Sequence, residues 1–127
     1  MLPLLALLAC GGDGSTSPGA SIAGAYSLTT VNGAPLPFVA TQAGTYKYEI
    51  TADTYTLAAG GTWTEMRADR TTSNGAVTTS TKTDAGSWST NGTVITLTSP
   101  TNGAVSGTVS GNTLSLTSQG NTLVFSK

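Results

Sequence analysis

The segment Thr62 to Arg70, TWTEMRADR, holds the densest set of residues able to do chemistry. Strand alternation places Trp63, Glu65, Arg67 and Asp69 on one face and Thr64, Met66 and Ala68 on the other. If Trp63 faces inward, Glu65 and Arg67 follow it, and several kcal/mol of desolvation per ion must be met by pairing or by a polar ligand. If Met66 faces inward, the charges form a solvated face and Trp63 lies at the surface or rim. The second arrangement is the expected one, because charged side chains are seldom buried. A bulge that buries Trp63 alone is a third.

Other chemistry is thinly represented. The chain has no histidine, which removes Ser-His-Asp, Cys-His and His-metal sites. The run Gly11-Gly-Asp-Gly14 precedes neither a helix nor a Lys-Ser/Thr pair, so it is no phosphate loop. Glu49, Asp53, Glu65, Asp69 and Asp84 never fall at calcium-loop spacing. A carboxylate pair brought together from distant strands stays open as an acid and base, but the expectation is a protein that is not an enzyme and needs no cofactor or metal. Lys47, Arg67, Arg70, Lys82 and Lys127 are scattered and make no basic stripe, so no nucleic-acid partner is expected. The aromatics Tyr26, Tyr46, Tyr48, Tyr55 and Trp88 are candidates, with Trp63 and Arg67, for lining a ligand cavity. Their plainer role, filling a core, is the favoured one.

The elements that must position these residues are short strands. Only 9% of the 127 residues are charged, the net charge is -1 and 38% are apolar, a balance that favours folding over disorder. From Ile22 onward, alternating runs rich in Thr and Val are separated by turn signals, above all Asn32-Gly33, Asn74-Gly75, Asn91-Gly92 and Asn102-Gly103. The last two residues of Asn91-Gly92-Thr93 complete a glycosylation sequon, which reads here as a hairpin turn. Further turns are expected at Asp53 and at Asp84-Ala85-Gly86. Ala34-Pro35-Leu36-Pro37-Phe38 reads as a loop or lid, because proline lacks the donor a central strand needs. Tyr46, Tyr48 and Ile50 share an inner face, with Lys47 and Glu49 opposite. Ile95-Thr-Leu-Thr-Ser99 recurs as Leu114-Ser-Leu-Thr-Ser118, and Gly61-Thr-Trp-Thr64 as Gly86-Ser-Trp-Ser89. The expected fold is all-β: an antiparallel up-and-down meander of roughly eight to ten short strands closed as a barrel, with a β-sandwich as the alternative.

The N-terminus carries a different kind of information. Leu2 to Ala9 is apolar but far shorter than the roughly 20 residues of a membrane-spanning helix, and it has the length of a signal-peptide core. Leu7-Leu8-Ala9-Cys10 resembles the lipobox of bacterial lipoproteins. That resemblance implies a signal peptide over residues 1–9, its basic start lying upstream of Met1. It also implies lipid attachment at Cys10, the only cysteine, and a Gly/Ser/Pro tether over residues 10–21 leading to a domain over residues 22–127. The membrane is then a partner through the lipid, and Gly11 after the cysteine suits the outer membrane of the cell envelope. The alternative is a buried apolar strand with an ordinary core cysteine.

Gly24-Ala25-Tyr26 resembles the Gly-x-Trp element of lipocalin and calycin barrels, with Tyr in place of Trp. Together with GGTWTEMRADRTTSNG, DAGSWSTNGTVITL and GTVSGNTLSLTSQGNTLVF, it makes the chain similar to small bacterial lipocalin-like lipoproteins. The resemblance implies a β-barrel that binds a small, mainly apolar ligand. The competing expectation is an interaction or inhibitor module of the envelope with no small-molecule ligand.

Overall fold

The computed structural model describes residues 22–127; the expected signal peptide, the expected lipidation site at Cys10 and the expected tether lie outside them. Ten strands follow in order: β1 (Gly24–Val31), β2 (Ala34–Pro35), β3 (Phe38–Ala43), β4 (Tyr46–Leu57), β5 (Thr62–Ser73), β6 (Ala76–Asn91), β7 (Val94–Ser99), β8 (Gly103–Ser110), β9 (Thr113–Ser118) and β10 (Asn121–Ser126). From β4 to β10 each strand pairs antiparallel with the next, β10 pairs with β1, and β1 pairs back with β4. These eight strands therefore close a barrel, which leaves no room for the sandwich alternative. The hairpins follow from sequence. Asn32 and Asn74 adopt φ of 52°, each followed by glycine at 83°, the left-handed pair that a two-residue turn between right-twisted strands needs.

The barrel is filled by its own side chains. Tyr26, Ile95, Leu97, Leu114 and Phe125 are essentially inaccessible, and burial of each is worth about 1.5–3 kcal/mol. Tyr55 packs edge-on against Phe125 and tilted against Trp63, with ring centroids 5.2 and 5.4 Å apart. Strands as short as β7, β9 and β10 enclose just such a core and little more.

β4, β5 and β6 are much longer than their neighbours and run on past the barrel rim. With β3, which pairs with Tyr46–Ile50 of β4, they make a four-stranded projecting sheet. Two of the expected turns are absent for this reason. Asp53 lies inside β4 and Asp84-Ala85-Gly86 inside β6. At Asp53 the chain makes a register shift between Ile50 and Ala52. The extra residue, Thr51, donates its hydroxyl to the Ala68 carbonyl (3.0 Å). Without this bulge, Ala52, Thr54 and Thr56 would face the interior. With it, Asp53, Tyr55 and Leu57 do. Gly86 is needed for close approach: a Cβ there would stand 1.8 Å from the Thr98 carbonyl oxygen and 3.0 Å from the Trp63 ring. It marks the point where β6 leaves the projecting sheet and joins β7.

The proline segment is also more ordered than a loop. Ala34 and Pro35 pair with the end of β1, the Leu36-Pro37 bond is cis, and Phe38 opens β3 opposite Ile50, packed against the core. Proline is tolerated because both strands are edges.

Candidate functional site

Trp63 is buried and Met66 is 59% exposed, so the inward-facing arrangement is the one adopted and the expected solvated face is corrected. Trp63 fills the barrel and donates its indole N–H to the Ser87 carbonyl (2.9 Å). Glu65, Arg67 and Asp69 follow on the same face, because β5 runs without a bulge. What makes this tolerable is the register of the neighbours. β4 sets Tyr55 opposite Glu65 and Asp53 opposite Arg67, while β6 sets Asp84 opposite Glu65, Lys82 opposite Arg67 and Ser80 opposite Asp69. Opposed residues share a face, so a ladder of charges climbs from the aromatic floor onto the projecting sheet.

Where that ladder leaves the barrel it forms one wall of a mouth of about 380 Å3. The floor is Tyr55, Trp63 and Leu97. Glu65, Arg67 and Lys82 stand on one side, and Ser99, Asn102 and Gln119 come from the β7–β8 and β9–β10 turns on the other. Asp84 ties the two sides together. It accepts from the Ser99 hydroxyl (2.9 Å), the Ala85 N–H (2.8 Å) and the Asn102 amide (2.8 Å). The Asn102 bond, first, then its other donors hold its carboxyl below the usual range despite burial.

The wall itself is less well satisfied. Arg67 reaches Asp53 Oδ2 at 3.3 Å through Nη2 and 3.4 Å through Nε, and Glu65 Oε2 at 3.7 Å. All three are long contacts for charged partners. Asp53 Oδ1 and Glu65 Oε2 are buried and accept no hydrogen bond from any other described residue. Burial, followed by the hydrogen bond and charge of Glu65, pushes Asp53 up to about 8, with Arg67 opposing only in part. At neutral pH Asp53 is then a carboxylic acid. Burial also raises the Tyr55 phenol, reinforced by the charge of Glu65. Arg67 stays firmly cationic: burial disfavours its charge, but Asp53 and Glu65 more than offset that.

One turn further along the ladder the pattern reverses. Asp69 accepts from Lys82 Nζ (2.7 Å) and the Tyr48 hydroxyl (2.6 Å) on Oδ2, and from the Ser80 hydroxyl on Oδ1. Burial alone would raise its carboxyl, but Lys82, Ser80 and Tyr48 together hold it down to about 2. On the outer face, Arg70 donates to Glu49 at 2.9 Å, a bond that, ahead of burial, keeps Glu49 low.

Of the residues singled out from sequence, Tyr55, Trp63 and Arg67 meet at the mouth. Tyr48 belongs to the Asp69 cluster beside it. Tyr26 is wholly inside the core, its hydroxyl donating to the Ile22 carbonyl. Tyr46 is 40% exposed at the far tip of the projecting sheet, and Trp88 donates its indole N–H to Ala58 at 3.0 Å. Neither lines the mouth. Asp53 and Asp84 were hidden by being read as turn residues. Ala52-Asp-Thr-Tyr-Thr-Leu57 does alternate so that Asp53, Tyr55 and Leu57 share a face, and that alternation is the signal that places Asp53 inside. Among the described residues no group of His, Cys, Asp and Glu is placed to hold a metal ion.

A second hollow, about 760 Å3, lies on the outer face of β4, β5 and β6 and is walled mainly by small Ala and Thr side chains beside Met66, with Glu65 and Asp84 also in its lining. No protein-family model matches the chain, and no curated protein and no solved structure is significantly similar to it.

Proposed function

We propose that this protein is a small-molecule binding barrel, held at a bacterial envelope by a lipid on Cys10, whose ligand is a small amine docked at the barrel mouth. The observation that carries the reading is the pair of buried oxygens, Asp53 Oδ1 and Glu65 Oε2, that no group among the described residues supplies with a hydrogen-bond donor. Glu65 lines the mouth, and Asp53 is held behind it by Arg67. An ammonium group supplies N–H donors and positive charge together, while Tyr55 and Trp63 offer apolar area to its alkyl part. The polar lining favours such a ligand over the mainly apolar one suggested by resemblance.

Binding a cation there displaces the Asp53 proton, so affinity rises with pH. The test uses butylamine, with butyrate and butanol as controls, by calorimetry in two buffers of different ionisation enthalpy. The expected result is binding of butylamine alone, with proton release, weakened at least about tenfold in Glu65→Gln. Equal binding of all three probes, or an affinity indifferent to Glu65→Gln, would contradict the proposal.

A further inference from the structure

Among the described residues, the projecting sheet ends in two unpaired edges, and they are built differently. β3 is an edge interrupted by a register shift between Val39 and Thr41 and preceded by Pro37. Bulges and prolines are the usual devices that keep an edge from pairing with another chain. β6 has neither. Its register with β5 runs unbroken from Ser73↔Ala76 to Thr62↔Ser87, it pairs with β7 only over Ser87–Asn91, and residues 76–83 are all exposed.

Which backbone groups are free follows from the turn. Ser73 and Ala76 flank the two-residue Asn74-Gly75 loop and so exchange hydrogen bonds. Even-numbered residues of β6 then bond to β5, and Val77, Thr79, Thr81 and Thr83 turn both N–H and C=O toward open solvent. The row stops at Ala85, whose N–H donates to Asp84 Oδ1.

We infer that this edge pairs with the same edge of a second copy about a two-fold axis at Ser80, joining the two projecting sheets into one. The sequence is self-complementary in that register. Val77 stands opposite Thr83 of the second copy and Thr79 opposite Thr81, each exchanging both backbone bonds. On the inner face Lys82 stands opposite Thr78 and Asp84 opposite Ala76, so no like charges meet. Lys82, the single cation of the edge, already has its ammonium on Asp69. Because the β3 edge is guarded, the pairing closes at two copies and does not propagate into a fibre. A seam of one strand falls short of the roughly 1,000 Å2 typical of a stable interface, so the dimer is reversible and concentration-dependent.

Sedimentation velocity of the full chain across a wide concentration range should show a monomer–dimer equilibrium. Thr81→Pro removes a donor only from the free edge and should weaken association at least about tenfold while leaving the far-UV spectrum unchanged. Cross-linking gives a second reading. Directly opposed, non-hydrogen-bonded residues lie about 4.5 Å apart, within disulfide range. In a Cys10→Ser background, Ser80→Cys should therefore form a covalent dimer on mild oxidation, and Thr79→Cys, which faces Thr81, should not. A monomer at every concentration overturns the inference, as does equal cross-linking of both variants. So does a monomer whose Val77, Thr79, Thr81 and Thr83 amides resist exchange, since the edge would then be covered by the chain's own N-terminal segment.

Discussion

Asp53 and Asp69 face the same side of neighbouring strands and are each 1% exposed, yet their surroundings are opposite. Asp69, on the projecting sheet, has three side-chain donors at close range. Asp53, behind the barrel mouth, has one arginine at the long end of hydrogen-bond distance and an oxygen with no donor among the described residues. A buried carboxylate serving architecture alone is expected to look like Asp69, because each unmet acceptor costs about 1–3 kcal/mol. Asp53 avoids that cost by holding a proton, whereas Glu65 Oε2 retains it, and does so beside a cavity. The contrast separates a part of the ladder whose acceptors are all supplied with donors from a part whose acceptors are not, which is where the proposed ligand would dock.

The largest effect should come from the residue where the two regions join. Gly86→Ala puts a methyl into the Thr98 carbonyl, and neither β6 nor β7 can retreat without opening the barrel. A loss of several kcal/mol, on the order of 3–5, is expected in urea unfolding. A near-wild-type midpoint would mean that β6 does not bend there as described.

Next comes Asp69→Asn, which leaves Lys82 without its counter-charge and should cost about 1–3 kcal/mol. Asp53→Asn should change stability by less than about 1 kcal/mol at neutral pH, since the amide replaces a group that is already uncharged. If the two substitutions cost the same, the distinction between the two sites fails.

The pH dependence sharpens the same contrast. Asp53 is raised, so its contribution is full below its ordinary value of 3.8 and is lost as pH rises through about 8. Asp69 is lowered, so its contribution is full above 3.8 and is lost as pH falls through about 2. Unfolding free energy should therefore slope downward between about pH 4 and 8 in the wild type, and that slope should flatten in Asp53→Asn but persist in Asp69→Asn.

Much of the fold was legible in the chain, because Asn-Gly turns and alternation are local signals. The hairpins from β7 to β10 fall where Asn91-Gly92, Asn102-Gly103 and the later Gly-Asn pairs put them. The site was legible only in part. Alternation kept Trp63, Glu65 and Arg67 together, but whether they point in or out depends on Asp53 and Lys82, partners set by register with two other strands. Asp53 and Gly86 were mistaken for turns because Asp and Gly are turn formers. Their actual roles, an inward carboxyl after a bulge and a close approach to Thr98, arise from contacts remote in sequence. The charged, half-satisfied mouth therefore had no local signature, whereas the filled barrel beneath it did.

If the mouth takes a cationic ligand, the Asp53 carboxyl behind it, pushed up to about 8 by burial, gives up its proton on binding. The most direct test is a carbon-13 NMR titration of the Asp53 carboxyl, with and without butylamine. The account requires a midpoint near 8 that moves down when the amine is present. A midpoint in the ordinary carboxylate range, or one that the amine does not move, would contradict it.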